Sequence, residues 1–185
     1  MTNLNAPLGA IAYSYSDVAL SRCEFHQATY FGDEEARMSA QGLEGLEHTV
    51  QLTHIWINDL DDRLSWNDKA RSYRLLKAVL HALRDSLKVN EAVDLGAQLP
   101  GLLRGAYYEQ WRPAITPIRN RNVDQFLVRV NESFKRDPLA DPAGAIMAVF
   151  ELLTEKITEG EISDVKRCLP KGIRNIWPET NAVRH

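Results

Sequence analysis

Apolar residues recur along this chain with helical rather than strand spacing. Leu46, Val50, Thr53, Ile57, Leu60 and Leu64 step by four, three, four, three and four, which lines one face of an α-helix. Asn67-Asp68 supplies an N-cap signal, and Leu76, Val79, Leu80, Leu83 and Leu87 form the stripe of a second helix. Asn90–Gln98 reads as a short third helix ending at Leu99-Pro100. The fixed φ of proline suits the first turn of a fourth, over Gly101–Glu109. Pro113 and Pro117 then interrupt the pattern. It restarts at Asn122, with Gln125 three residues on in a capping-box arrangement. Asp141-Pro142 opens a long helix, Thr158-x-x-Glu161 caps the next, and Trp177-Pro178 closes the last. The one β-branched and aromatic cluster, Phe126–Val130, occupies the slot of a first-half helix. The predicted class is all-α.

The second set of elements reads as a copy of the first. Shifted by 70 residues, Trp56–Tyr107 lies over Phe126–Trp177 without a gap. Ala78-Val79 falls on Ala148-Val149, Leu83 on Leu153, Glu91 on Glu161, Asp94 on Asp164, Leu99-Pro100 on Leu169-Pro170 and Arg104 on Arg174. The apolar register holds as well, as in Leu60/Val130, Leu80/Phe150 and Leu103/Ile173. A repeated sequence unit normally means a repeated structural unit. The expected architecture is a tandem repeat of two similar three- to four-helix bundles packed against each other. They span residues 43–112 and 122–178, are joined by a linker at 113–121, and are followed by a tail at 179–185. Residues 1–42 have no partner in the repeat and read as a mostly disordered extension with one weak helix near Asp17–Tyr30.

Composition narrows the function classes. The chain has 185 residues, is 44% hydrophobic and 25% charged, and carries a net charge of −3. That balance argues against general affinity for nucleic acid, which needs a surplus of Lys and Arg. Cys23 and Cys168 stand in no paired spacing, as for free thiols in a reducing compartment. With no run of 18 apolar residues and no signal-peptide pattern, the expectation is a cytoplasmic protein without membrane contact.

The repeat also sorts candidate chemistry. Glu91, Asp94 and Arg104 recur as Glu161, Asp164 and Arg174. They read as an arginine clamp on the acidic first turn of the preceding helix rather than as an acid–base pair. His54 and His81 face Asp124 and Glu151 in the other copy, as on solvated surfaces. His48-x5-His54 is off helical register, Cys23-x-x-His26 is a lone half-site, and no Glu-x-x-His occurs, so neither a metal nor a cofactor is expected. No P-loop, Gly-x-Ser-x-Gly or Gly-x-Gly-x-x-Gly is present. What remains is Tyr107-Tyr-Glu-Gln-Trp-Arg-Pro113, which beyond Tyr107 has no counterpart. Aromatics with Arg and Glu are the composition of binding hot spots and ligand pockets. Arg104, Tyr107, Tyr108, Glu109, Trp111 and Arg112 are therefore the candidate site residues, unless Tyr108 and Trp111 only seal the joint between bundles.

Three runs carry a family resemblance: Ala78-Val-Leu-His-Ala-Leu-Arg-Asp85, Leu95-Gly-Ala-Gln-Leu-Pro100, and Leu103-Arg-Gly-Ala-Tyr-Tyr-Glu109 with Trp111 and Pro113. The second half adds Glu159-Gly-Glu-Ile-Ser-Asp-Val-Lys166, Leu169-Pro170, Arg174 and Trp177-Pro178. Over about Met38 to Pro178 the chain resembles the bacterial domain-of-unknown-function family 2267. The resemblance implies a small, helical, soluble protein and carries over no catalytic residue. Its members begin near a Met-Ser-x-x-Gly-Leu-Glu start, matching Met38–Glu44, which marks residues 1–37 as an upstream extension. The expected function is a non-catalytic protein-interaction or regulatory module with an unidentified protein partner. The alternative is a small-molecule or anion binder at Arg104, Tyr107, Tyr108 and Glu109.

Overall fold

In a computed structural model, residues 22–118 and 122–178 are described, with residues 22–41 described by their backbone alone. The chain divides into two compact units, residues 1–44 and 45–185. Every regular element among the described residues is helical. They are α1 (Arg22–Leu64), α2 (Lys69–Ser86), α3 (Val89–Ala97), α4 (Gly101–Tyr108), a 3₁₀ turn at Pro113–Ile115, α5 (Val123–Glu132), α6 (Pro142–Lys156), α7 (Glu159–Cys168) and α8 (Lys171–Asn175). Phe126–Val130 is helical, so its β-propensity yields to the amphipathic pattern around it. Residues 1–21 of the expected extension, 119–121 of the expected linker and the tail at 179–185 lie outside the described residues. From Arg22 the backbone is continuous helix, so the short helix expected to end at Tyr30 instead runs on into the stripe beginning at Leu46.

Three helix starts use the caps legible in the sequence. The side chains of Asp68, Asn122 and Asp141 accept hydrogen bonds from the backbone N–H groups of Arg71, Gln125 and Gly144, satisfying donors that have no partner within the helix. Thr158 departs from expectation, because it opens α7 with no side-chain cap bond. Glu161 does not complete a capping box either, and its Oε1 is buried without a hydrogen-bond partner. Burial raises the Glu161 pKa, and the carboxylates of Asp94 and Glu91 on α3 raise it further. Asp61, at the end of α1, joins two elements: its buried carboxylate accepts from the Asp68 N–H at 3.1 Å and the Ser72 hydroxyl at 2.7 Å.

Within residues 45–185, α2 packs against α3, α4, α5 and α6. α3 packs on α4 and α7, α5 on α6 and α8, and α6 on α7. The buried apolar side chains of both halves form one cluster from Trp56 to Trp177. Burying each large side chain contributes about 1.5–3 kcal/mol, so α2, with five leucines and valines of at most 1% exposure, and α6, with Ile146, Val149, Phe150, Leu152 and Leu153 fully buried, carry much of the stabilisation. The one-sided stripe on α1 is covered along only part of its length. Thr53 and Leu60 are buried, but Leu46 is 64% and Val50 41% exposed.

Candidate functional site

The Tyr107–Pro113 stretch begins at the last turn of α4 and its residues go to different places. Tyr107 is fully buried, its hydroxyl donates to the Ala92 carbonyl on α3 at 2.8 Å, and burial drives its pKa strongly upward. It is a core tyrosine with a satisfied polar tip. Tyr108 is half-buried; its ring meets Tyr107 edge-on at 5.0 Å and stacks on Trp111 at 5.5 Å. Gly96 permits this approach, since a Cβ there would stand 2.2 Å from the Tyr108 hydroxyl. Trp111 packs against the core, its buried Nε1 without a hydrogen-bond partner. Glu109 is exposed and pairs with Lys77 at 3.1 Å. Arg104 and Arg112 are exposed. The six candidates therefore do not line one pocket.

Two of them line a groove. Thr53, His54 and Ile57 of α1, Tyr73 and Lys77 of α2, Gly101, Leu102, Gly105, Ala106 and Tyr108 of α4, and Glu109 beyond it surround an open volume of about 710 Å³. This is within the size range of ligand sites, but it is a cleft open to solvent. Leu102 in its wall is 49% exposed. By i, i+3 and i+4 spacing, exposed Leu46 and Val50 continue the Thr53–Ile57 wall along α1. The groove lies among first-half helices.

Sequence reasoning missed the group that holds the C-terminus of α4. The Arg84 guanidinium, 4% exposed, donates to the carbonyls of Tyr107 and Glu109 and to the Asp85 carboxylate. Cation and donors thus meet the unsatisfied carbonyls at a helix end. His81 adds a hydrogen bond from Nε2 to the Ala106 carbonyl at 2.6 Å; burial lowers its pKa, and the charges of Arg84 and Lys77 lower it further. His81 is thus half-buried and engaged, not the solvated face expected. The signal available was non-duplication, because position 154 opposite Arg84 is threonine, whose hydroxyl accepts from Trp177 Nε1 at 2.9 Å. Each half secures its aromatic with different chemistry.

The expected arginine clamps are not formed. Among the described residues neither Arg104 nor Arg174 ion-pairs with Glu91, Asp94, Glu161 or Asp164; Asp164 pairs instead with Arg167. The reason is packing: α3 lies on α7, so Glu161 comes near the acids of the other half. Cys168 lies beside them, its thiol pushed up by burial and by Glu91, which makes it a poor nucleophile.

Against known families, one model matches, described as an uncharacterized conserved protein, DUF2267, over residues 53–176. The chain belongs to this family. The match begins inside α1, at the first residue of the groove wall, so the Met38–Glu44 start motif lies outside it. It contains the groove, the Arg84 cap and all eight helices in whole or part. No curated protein matches the chain.

Proposed function

We propose that this DUF2267 chain is a non-catalytic interaction module whose groove between α1, α2 and α4 receives an amphipathic helix of a protein partner. One observation carries the reading: a groove walled by Ile57, Tyr73, Leu102 and Tyr108 is prolonged along α1 by exposed Leu46 and Val50. A helix seats residues at i, i+3 or i+4, and i+7 in such an apolar channel. Gly105 has nothing within 4 Å of where a Cβ would stand, which leaves the α4 side open to a close helix. Lys77 and Glu109 at the rim offer one charge of each sign to set orientation. The alternative, an anion or small-molecule site at Arg104, Tyr107, Tyr108 and Glu109, has less support, because Tyr107 is committed to the core and Arg104 does not line the groove. We place the module in the bacterial cytoplasm, on the family resemblance and the unpaired spacing of Cys23 and Cys168.

We further infer that the two halves are copies of one unit related by an approximate two-fold axis. Helices α3 and α7 begin at Val89 and Glu159, α4 and α8 at Gly101 and Lys171, and α2 and α6 end at Ser86 and Lys156, each pair 70 residues apart. An isologous arrangement requires self-pairing at the axis, and α2 packs on α6 and α3 on α7. It also requires reciprocal contacts. Helix α5 packs on α2, and α1 is tied to α6 by Arg63 with Glu155 and by Lys156 with Asp59.

The partner test is photocrosslinking from position 102 in cells that natively produce the protein. The expected result is one discrete adduct to a segment with helical apolar periodicity. Adducts only to a second copy of this chain, or yields no higher than from exposed Val128 on α5, would overturn the reading.

A further inference from the structure

Helices α3 and α7 meet through acids. α3 packs on α7, and the Glu161 carboxyl of α7 has one oxygen, Oε1, buried without a hydrogen-bond partner. The charged groups that face it are Asp94 and Glu91 of α3. Its field also reaches Tyr107 in the core beneath α3. None of the three acids forms an ion pair with a described residue. The neighbouring cations are directed elsewhere. Arg167 pairs with Asp164, Lys166 reaches the Pro178 carbonyl and the Trp177 ring, and Lys88 acts with Arg167 on the Cys168 thiol. Arg104 is exposed and faces the Tyr108 hydroxyl, as Asp94 does. α6, which also packs on α7, brings no charge to Glu161 among the described residues.

The strength of such a contact depends on one proton. An ionised Glu161 holds an oxygen away from water with no donor to it and two like charges opposite, which is costly. A protonated Glu161 removes one of three like charges and carries an O–H that a facing carboxylate can accept. Burial comes first among the causes that raise the Glu161 pKa above the ordinary 4.5, followed by Asp94 and Glu91. A folded pKa above the unfolded one gives stability that is complete below about pH 4.5 and is lost as pH rises through the folded value.

We propose that the α3–α7 contact is a pH-sensitive joint, tightened when Glu161 takes up a proton and loosened when it ionises opposite Asp94 and Glu91. The proposal rests neither on the groove nor on the two-fold reading of the halves. His81 acts in the opposite sense and between α2 and α4, so the joint is read locally rather than from the stability of the whole chain.

The test is amide hydrogen exchange of the full chain between about pH 4.5 and 7.5, with each rate referred to its intrinsic value at that pH. The amides of α2, in the common core, report opening of the whole chain. The proposal predicts that protection in α3 and α7 falls at least several-fold across this range relative to α2, one pKa unit corresponding to about tenfold. In Glu161→Gln, which fixes a neutral side chain of the same shape, that relative protection should stay level. Asp94→Asn combined with Glu91→Gln removes the facing charges; it should shrink the fall, and it serves if Glu161→Gln does not fold. Parallel profiles in wild type and a folded variant would overturn the joint. A fall that is the same in α2 as in α3 and α7 would overturn it too, because Glu161 would then act on the whole chain and not on this contact.

Discussion

At the residue scale, adjacent tyrosines divide fold from surface. Tyr107 is buried and bonded to Ala92, whereas Tyr108 flanks the groove. Tyr107→Ala should cost about 3–5 kcal/mol, as other large aromatic truncations do, and Tyr107→Phe about 1 kcal/mol for the lost hydrogen bond. Tyr108→Ala should cost less than Tyr107→Ala by at least about 2 kcal/mol; urea denaturation of the three variants checks the order. His81 makes stability depend on pH. Its folded pKa is depressed below the ordinary value of about 6.5, so the unfolded chain takes up the proton first. The contribution is present above about pH 6.5 and is lost as pH falls below it. The urea midpoint should therefore drop between about pH 7.5 and 5.5, and His81→Gln should flatten that slope. The composition of the aromatic stretch was legible in the sequence. Its division was not, because which of two neighbouring tyrosines faces inward depends on where α3 crosses α4.

Local chemistry decides more at the element scale. Helix type, the three side-chain caps and most boundaries were readable, because a cap needs only residues within one turn. The exceptions are instructive. Thr158-x-x-Glu161 has the capping-box sequence, yet α7 packs on α3 and Glu161 is drawn against that helix and toward its acids. Asp141→Ala should therefore cost about 1 kcal/mol, whereas Thr158→Ala, which removes no cap bond, should cost under about 0.5 kcal/mol. Thermal unfolding of the two variants side by side distinguishes a cap that forms from one that only reads as such. The arginine clamp failed for the same reason: α3 packs on α7 and brings Glu161 near Asp94 and Glu91, a contact that neither stretch of sequence encodes alone.

At the scale of the whole molecule, one stripe on α1 does two jobs. Thr53 and Leu60 are buried while Leu46 and Val50 remain exposed beside the groove. Periodicity predicted the stripe and could not say where its cover ends, since that is set by how far α4 reaches along α1. Gly101 of α4 meets Thr49 of α1, with 3.1 Å between its would-be Cβ and the threonine methyl, and Leu46 lies a turn beyond. The central claim is that this uncovered apolar channel is the working surface. The most direct measurement is the Kd of a synthetic peptide, taken from the partner segment crosslinked at position 102, for wild type, Leu102→Asp and Tyr107→Phe. The account predicts that Leu102→Asp weakens binding at least tenfold, which corresponds to about 1.4 kcal/mol, while Tyr107→Phe leaves it unchanged despite its lower stability. Equal affinity for wild type and a folded Leu102→Asp would contradict it.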